Sequence, residues 1–525
     1  MKNENLLKAE RKAPKLAKTN SGAVCGVDAT PIEIEISTVE GGQLVTIVGL
    51  PDQAVKESKD RVLTALGNSG FKPLRECVTI NLAPADVRKE GPIYDLPIAV
   101  TLLAVLKQFK CSDFSDFAMV GELALSGEVR RVRGVLPIAL KMRDIGKRGI
   151  LVPMDNAREA SVVEGLDVYP VRTLREAVDF LGGVCDITPV SANAGKLVME
   201  GVDCGEDFAD VKGQEVARRA IEVAVAGGHN ILMVGSPGSG KTMLSRRIPS
   251  ILPPLTVEEA LEVTRIHSVA GMLRNGEALM VKRPFRAPHH TVSDAGLLGG
   301  GSHPSPGEVS LAHRGVLFLD EFPEFHRNVL EVLRQPLEDG YVTISRVAAT
   351  CDFPSRFMLV AAMNPCPCGF ANDPNHQCRC SHRMVQNYRS RISGPLLDRI
   401  DIQLDVQPVK IEELQHMQGG ESSAEIRKRV IAAREIQKKR FEGILGVHCN
   451  AEMRAKDLMM FCNLDTAAQQ RMKNVIKELD LSARAYERVL KVGRTIADLA
   501  GSESVLDEHI YEASSYRSLD RSYWG

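Results

Sequence analysis

The sequence lacks the features of membrane proteins, disulfide-built proteins and strongly charged proteins. Among its 525 residues only 12 are cysteine and 1 is tryptophan, and the formal net charge is -1. No apolar run reaches the roughly 18–20 residues that span a bilayer, and the first residues have no apolar core of a signal peptide. A near-neutral chain is not drawn as a whole to polyanions, so any nucleic-acid contact must come from a local basic surface. We therefore expect a cytoplasmic protein of roughly two to four domains without a membrane contact.

Sequence patterns divide the chain into five predicted segments. Residues 1–20 contain six Lys or Arg and two acidic residues, which favours a solvated disordered tail over an arm that contacts nucleic acid. Strand and helix patterns then alternate, and in the second half this alternation implies a parallel sheet. Apolar residues three to four apart indicate amphipathic helices at the end. The segments are a basic tail (1–20), an α/β domain (21–185), a linker (186–205), an α/β core (206–415) and a helical lid (416–525).

A phosphate-binding loop is predicted at residues 235–242. The pattern G-x-x-x-x-G-K-T follows a short apolar strand at 230–234 and precedes a helix, which is the context that this motif requires. Its glycines let backbone N–H groups surround phosphates, and the helix N-terminus adds a partial positive charge. We expect Lys241 to reach the β and γ phosphates of ATP and the Thr242 hydroxyl to bind Mg²⁺. The loop residues are Gly235, Ser236, Pro237, Gly238, Ser239, Gly240, Lys241 and Thr242.

Polar residues end two further apolar strands. Asp320 and Glu321 follow the apolar run at 315–319. Asp320 is predicted to hold Mg²⁺ directly or through water, and Glu321 to orient and deprotonate the attacking water. Asn364 follows the run at 358–363 and is predicted to hydrogen-bond the γ-phosphate or that water. The alternative is an Asn that only opens the turn before Pro365.

Two arginines are candidates for contacts with the transferring phosphoryl group. Arg399 lies in the segment SGPLLDRID, and Arg484 lies in SARAYER on a predicted lid helix. A fixed guanidinium supplied by a neighbouring subunit can accelerate phosphoryl transfer by about 10³–10⁵. We assign Arg399 as a finger acting in trans and Arg484 as a lid sensor, with a surface ion pair as the alternative for each. A finger in trans requires assembly of several copies.

Several longer segments carry a family resemblance. They are residues 47–52 (IVGLPD), 78–86 (VTINLAPAD), 121–127 (GELALSG), 283–290 (RPFRAPHH), 364–369 (NPCPCG) and the segments around Arg399 and Arg484. Together with the phosphate loop they make the chain resemble the ComM/YifB family, the magnesium-chelatase-like AAA+ ATPases, from about residue 22 to about residue 515. The resemblance implies a Lon-protease-like N-terminal domain of the ribosomal S5 domain 2 type, an AAA+ P-loop αβα core and a C-terminal helical lid.

The resemblance also implies a function. ComM proteins are hexameric DNA helicases that drive branch migration of recombination intermediates during natural transformation. We therefore expect a homohexameric, DNA-stimulated ATP hydrolase that acts on single-stranded or branched DNA. The alternative is a chelatase-type motor that remodels a protein partner, as the ATPase subunits of magnesium chelatase do. A ring that binds ATP without hydrolysis is a third class, which the presence of Asp320 and Glu321 disfavours.

Proteolysis is not expected, although the N-terminal domain resembles that of Lon. Lon-type proteases use a Ser–Lys dyad with the serine in a Gly-Pro-Ser turn. The matching stretch here is Gly91-Pro92-Ile93, and Ile93 has no nucleophilic group. The lysine position falls near Leu136, in a segment that contains no lysine.

Four cysteines form two C-x-C pairs, Cys366 with Cys368 and Cys378 with Cys380. Two such pairs joined by a short loop can provide four thiolates for a tetrahedral, structural Zn²⁺. His376 is an alternative ligand for one position. Unliganded reduced thiols and a redox pair remain the competing interpretations.

Two basic segments are less specific. Residues 340–357 alternate on both sides of Arg346 and predict a β-hairpin. Related ring helicases of the MCM group carry a basic residue on such a hairpin, so Arg346 is the candidate DNA contact, with an ordinary solvated arginine as the alternative. Arg283, Arg286, His289 and His290 lie on a loop-like stretch, for which a structural role is favoured over a catalytic or metal-binding one.

Overall fold

The computed structural model divides the chain into two compact units. The first comprises Met1–Met199, Ala260–Met280 and Arg346–Cys351, and the second comprises Glu200–Glu259, Val281–Ser345 and Asp352–Gly525. The residues that the structure describes are 15–42, 44–110, 114–200, 205–274, 276–301, 304–346, 350–371, 373, 376–408, 419–479, 482–517 and 519. Within these residues, every helix is too short or too polar to cross a bilayer.

The first unit is built on a seven-stranded mixed sheet with the order β3-β4-β2-β1-β5-β8-β9. β1, β2 and β4 pair antiparallel, and the remaining neighbours pair parallel. The strands are β1 Lys15–Cys25, β2 Asp28–Glu40, β3 Val45–Val48, β4 Glu76–Ala83, β5 Phe117–Met119, β6 Glu122–Leu123, β7 Val129–Arg130, β8 Gly149–Pro153 and β9 Asp167–Val171. The helices are α1 Gln53–Asn68, α2 Asp95–Val105, α3 Val135–Asp144, α4 Ala157–Ala160, α5 Leu174–Leu181 and α6 Ala194–Glu200.

The sequence of this unit accounts for its layers. In β2, Ile32, Ile34 and Ile36 are fully buried while Glu33 and Glu35 alternate with them, which is the period of a strand with one buried face. α2 is apolar on nearly all sides and is almost wholly buried, as expected of a helix enclosed in a core. Ile93 and Leu136, at the positions matched to the Lon dyad, are buried apolar side chains.

The start of the chain differs from the sequence-based expectation. Residues 1–14 of the expected tail lie outside the described residues. Residues 15–20, expected to belong to that disordered tail, form the first part of β1 and pair with β2. Lys15 bonds Glu76 of β4 at 3.1 Å, and Lys18 bonds Glu33 of β2 at 3.1 Å. The cluster of positive charges therefore did not indicate disorder at residues 15–20, because acidic residues on β2 and β4 neutralise the two lysines.

The expected domain borders also shift. The predicted linker 186–205 contains α6, and Val190 pairs with Val168 of β9. Two segments from within the expected core, Ala260–Met280 and Arg346–Cys351, belong to the first unit. The first of these is tied in by Arg131, which donates to the Leu273 carbonyl at 2.8 Å. Contacts between residues that are far apart in the sequence decide which unit a segment belongs to, and local sequence patterns do not reveal such contacts.

The second unit contains the core and the helical end of the chain. Its strands are β10 Ile231–Val234, β11 Phe285–Arg286, β12 Gly299–Gly300, β13 Ser305–Pro306, β14 Val316–Leu319, β15 Tyr341–Ser345, β16 Thr350–Pro354, β17 Met358–Met363 and β18 Ile402–Asp405. Its helices are α7 Glu215–Gly227, α8 Lys241–Ile251, α9 Val257–Val269, α10 Asp294–Leu298, α11 Glu308–Leu311, α12 Arg327–Val332, α13 Arg334–Asp339, α14 His382–Arg389, α15 Gly394–Leu397, α16 Ser423–Arg440, α17 Ala455–Phe461, α18 Thr466–Leu479, α19 Ala483–Leu499 and α20 Asp507–Ser515. Three elements cross the borders between the two units: the last residue of α6 belongs to the second unit, and residues 260–269 of α9 and 350–351 of β16 belong to the first.

A five-stranded parallel sheet forms the centre of this unit, in the order β11-β14-β17-β10-β18. The strands β10, β14 and β17 are buried throughout, as parallel strands covered on both faces are. β17 lies between β10 and β14, so the carboxyl ends of these three strands are neighbours. Open parallel sheets bind ligands at that edge, and the sequence-predicted phosphate residues follow these strands.

The helical end of the chain packs on the core through a buried polar contact. His229, which precedes β10, lies 3.1 Å from Asp401 Oδ2 and 2.8 Å from the Thr495 hydroxyl. Arg488 of α19 donates to the other oxygen of Asp401. Burial opposes the charged form of Asp401, but Arg488 and His229 more than compensate, so the pKa of Asp401 lies below its ordinary value. The ion pair thus ties α19 to the start of β18.

Replacing Arg488 with Met should destabilise the second unit. The substitution leaves the buried Asp401 carboxylate with His229 as its remaining partner. Breaking a buried ion pair costs about 3–5 kcal/mol and should lower the melting temperature by ~10 °C for a unit of this size. In the wild type, the lowered pKa of Asp401 stabilises the fold above its ordinary pKa, and this contribution is lost as pH falls. In Arg488→Met, His229 still opposes the effect of burial, but without Arg488 the pKa of Asp401 lies higher than in the wild type. The stability difference between the two proteins should therefore shrink as pH is lowered from about 7 toward 4.

Calorimetry of both proteins across that pH range measures the effect. Arg484→Met is the matched control, because Arg484 lies on the same helix, is largely exposed and pairs with Asp398 at 3.3 Å. A loss of melting temperature in Arg488→Met that is no larger than in Arg484→Met, or that grows as the pH falls, would contradict this prediction.

Candidate nucleotide site

The phosphate loop joins β10 to α8 in the predicted strand–loop–helix arrangement. Gly238 and Gly240 have φ angles of 79° and 94°, a region that glycine enters without strain. Lys241 begins α8, and its Nζ donates to the carbonyl oxygens of Gly235 at 2.7 Å and Ser236 at 3.0 Å. Burial lowers the pKa of Lys241, and the Asp320 carboxylate offsets part of this effect. A buried ammonium group held mainly by neutral carbonyls is well suited to phosphate oxygens, which supply the opposing charge.

Thr242 and Asp320 are brought together from separate elements. Thr242 Oγ1 donates to Asp320 Oδ2 at 2.8 Å, across 78 positions of sequence. A hydroxyl and a carboxylate oxygen at this separation are both hard oxygen ligands, the kind that Mg²⁺ takes beside substrate phosphates. The residues present therefore fit an Mg²⁺ ion bound beside phosphates.

Asn364 is placed beside the phosphate loop by strand register. Val234 is opposite Met363 in the parallel pairing of β10 with β17, and the Gly235 N–H donates to the Met363 carbonyl at 3.2 Å. The Asn364 Oδ1 lies 3.4 Å from Lys241 Nζ. The amide therefore contacts the same ammonium group that the sequence assigns to the phosphates.

Glu321 follows Asp320 in a strained conformation. Its φ is 52°, which is uncommon for a residue with a side chain and persists only where surrounding structure imposes it. Its side chain is half exposed, and Oε2 lies 3.0 Å from His290 Nδ1. The ring centroids of His289 and His290 lie 4.0 Å apart, with the ring planes tilted by 35°. The sequence did not predict this contact, although the RPFRAPHH segment that supplies His290 was recognisable.

The two arginine candidates are 85 positions apart in the sequence and differ in environment. Arg399 is largely buried, and its guanidinium donates to the Pro395 carbonyl and to Glu338. Its Nε is buried and has no hydrogen-bond partner among the described residues. Arg484 is largely exposed and contacts Asp398, the residue before Arg399. Within the single chain, Arg399 is thus held by an acidic residue, Glu338, that the sequence analysis did not identify.

The four cysteines Cys366, Cys368, Cys378 and Cys380 converge, with all ligand atoms within 4.8 Å of one another. Backbone N–H groups point at the sulfurs: Ala371 N lies 3.3 Å from Cys366 Sγ, and Cys380 N lies 3.5 Å from Cys378 Sγ. Similar bonds from Arg379 and Phe370 lower the pKa of Cys368 to about 6. His376, the alternative ligand, instead bonds Asp373 at 3.2 Å and stacks on Phe370.

The remaining basic candidates fall into two groups. Arg346 is exposed and directly follows β15 of the predicted hairpin, which β15 and β16 form as a two-stranded sheet. Arg283 donates to the Pro253 carbonyl at 2.7 Å and to Glu259 at 2.8 Å, and Arg286 makes a bidentate pair with Glu308. Arg283 and Arg286 therefore connect loops of the core.

Family models match most of the chain. The model for "Magnesium chelatase, subunit ChlI" matches residues 207–414, the model for "Subunit ChlI of Mg-chelatase" matches 32–156, and the model for "Magnesium chelatase, subunit ChlI C-terminal" matches 420–517. The first of these segments contains the phosphate loop, Asp320, Glu321 and Asn364.

Curated relatives match over nearly the full length. The chain is 42% identical to "Uncharacterized protein YifB" of Salmonella typhimurium over 511 residues, and 42% identical to "Competence protein ComM" of Haemophilus influenzae over 515 residues. Each match covers 96% of this chain and 98% of the relative. Lon protease 2 of Bacillus subtilis is 23% identical over 184 residues, which is 32% of this chain and 33% of the protease. The chain therefore belongs to the ComM/YifB family of magnesium-chelatase-like AAA+ ATPases.

Proposed function

We propose that the chain hydrolyses ATP at the carboxyl edge of its parallel sheet, and that it does so within a ring of identical subunits. The observation that carries the ATPase proposal is the convergence of Asp320 and Asn364 on the loop that contains Lys241 and Thr242. In this proposal Lys241 binds the β and γ phosphates, and Thr242 and Asp320 hold the Mg²⁺ that neutralises phosphate charge. Glu321 accepts a proton from the attacking water, and Asn364 orients that water or the γ-phosphate.

Arg399 acts from the neighbouring subunit in this proposal, and Arg484 contacts the nucleotide from the lid. Arg399 exchanges its contact with Glu338 for the γ-phosphate of the adjoining chain. The Pro395 carbonyl contact and the burial of Arg399 support this role, since a guanidinium that is already confined loses little side-chain freedom on binding phosphate. A homohexamer is the assembly that the ComM resemblance implies.

DNA is the proposed substrate of the motor, with branched or single-stranded recombination intermediates as the favoured class. The full-length similarity to a protein named for competence supports this proposal, as does the exposed Arg346 beside a hairpin. A chelatase-type motor acting on a protein partner is the second candidate, supported by the three family-model descriptions. The two candidates share the ATPase site and differ in what stimulates it.

Forked or four-way DNA should raise the ATPase rate of the wild type at low salt. Arg346→Ala should weaken DNA binding uniformly across sequences and lower the slope of log affinity against log salt by about 1, because a phosphate contact releases about one counterion. Arg346→Lys is the matched control and should keep most of the slope. Fluorescence anisotropy with a labelled fork and a coupled ATPase assay measure both quantities. Absence of DNA binding and of stimulation at low salt would leave the protein-remodelling motor as the better hypothesis.

We also propose that the cysteine cluster holds one structural Zn²⁺. A tetrahedron of thiolates at Zn–S distances of about 2.3 Å has S···S edges of about 3.8 Å. In the structure, the S···S distances are 3.3 Å for Cys366–Cys368, 3.7 Å for Cys366–Cys378 and 3.6 Å for Cys368–Cys378. These values are far longer than the roughly 2.0 Å of a disulfide, and four thiolates leave no open coordination position for catalysis.

A further inference from the structure

We infer that the loop carrying Cys366, Cys368, Cys378 and Cys380, the zinc-binding loop, is a positioning element of the ATPase site. Loss of the metal should therefore slow ATP hydrolysis. The inference rests on the proposed function and assigns a role to the metal within it. The loop begins where the sheet ends, because Cys366 stands two residues after Asn364 and is almost fully buried. The first thiolate ligand is therefore fixed to the same strand end that presents Asn364 to Lys241.

A second contact joins the loop to the phosphate loop itself. Gly369, between the two cysteine pairs, has a φ of 87°, and a Cβ atom built on it would lie 2.7 Å from both Cγ and Cδ of Pro237. The same Cβ would lie 3.9 Å from Asn364 Cγ. The backbone of the cysteine loop thus packs directly on the phosphate loop, with no space for a methyl group.

Zinc is the group that can hold this packing in place. Four reduced thiols without a metal have no bond that fixes the two C-x-C pairs together, whereas four Zn–S bonds close the loop at a fixed size. When the loop is closed, Gly369 stays packed against Pro237, and Cys366 stays fixed next to the strand end that carries Asn364. Because a displacement of about 1 Å at a reacting group can lower a rate about 10²-fold, relaxation of the loop should affect kcat more than nucleotide binding.

The first test measures metal and turnover in the same full-length preparations. We expect one zinc per chain by elemental mass spectrometry, and its loss in the double variant Cys378→Ser/Cys380→Ser. That variant should show a kcat lowered about 10–100-fold, with ADP affinity changed only a few-fold. Cys77→Ser, in the first unit, is the matched control and should keep both zinc and turnover. Treating the wild type with a zinc-selective chelator should lower kcat in the same way, and added zinc should restore it.

A second variant separates the metal from the contact. Gly369→Ala keeps all four cysteines and should keep zinc, yet the added methyl group should lower kcat. Adding Pro237→Ala removes the two ring carbons that the methyl group meets, so the double variant should turn over faster than Gly369→Ala alone.

Three results would overturn the inference: wild-type protein that contains no zinc, a zinc-free cysteine variant with wild-type kcat, or Gly369→Ala with wild-type kcat. Failure of the proposed function looks different. In that case Glu321→Gln, whose zinc content should equal that of the wild type, would hydrolyse ATP at the wild-type rate.

Discussion

Replacing Glu321 with Gln should lower kcat for ATP hydrolysis by about 10²–10⁴, the contribution of a positioned general base. The amide is nearly isosteric with the carboxylate but cannot accept the proton of the attacking water. ATP binding should remain, because Lys241, Thr242 and Asp320 are unchanged and the carboxylate of Glu321 is not assigned to the phosphates. Single-turnover hydrolysis and binding of a fluorescent ATP analogue measure the two properties separately.

Glu324→Gln is the matched control for this variant. Glu324 lies three positions further on, is also exposed, and pairs with Arg391 at 2.6 Å. It should hydrolyse ATP at nearly the wild-type rate. Equal losses in the two variants, or hydrolysis by Glu321→Gln at the wild-type rate, would show that Glu321 is not the base.

Replacing Arg399 with Ala should lower kcat by about 10³–10⁵, the range for removal of an arginine finger. Arg399→Lys should recover little, because a lysine ammonium is a point charge without the planar fork of a guanidinium. ATP binding to a single chain should change much less than kcat, since the finger acts on charge that develops during transfer. Steady-state kinetics with direct measurement of nucleotide affinity provide the comparison.

Glu338 supplies the control for this prediction. It is the intramolecular partner of Arg399 and is itself largely exposed. Glu338→Gln removes the ion pair and leaves the guanidinium in place, so hydrolysis should persist. If Glu338→Gln and Arg399→Ala lose activity equally, the pair has only a structural role within the chain.

The sequence predicted the central strands well because each is a short, continuous apolar run with a clear end. The runs before Gly235, Asp320 and Asn364 correspond to β10, β14 and β17, and their parallel order brings these three residues to one edge. The hairpin at β15 and β16 was predicted from alternation, since one face of each strand is buried. Such strands can be predicted from the sequence because the pattern of apolar residues depends only on which faces of that one strand are buried.

Contacts between distant residues could not be predicted in the same way. Nothing in the local sequence pairs His290 with Glu321, Glu338 with Arg399, or Gly369 with Pro237, because tertiary packing alone brings them together. Residues 15–20 were misjudged for a related reason: the acidic residues that neutralise Lys15 and Lys18 lie on other strands. The four cysteines were the exception, since metal-ligand spacing is itself a local pattern.

We propose that each ATP is hydrolysed between Glu321 of one subunit and Arg399 of the next. The most direct test mixes purified Arg399→Ala and Glu321→Gln chains, allows the rings to exchange subunits, and measures ATPase activity. Each variant alone should be nearly inactive. Random mixing should make about one boundary in four competent, with an intact Glu321 facing an intact Arg399, so the mixture should regain activity well above the sum of its parts. A mixture that exchanges subunits yet stays as inactive as its components would contradict the account.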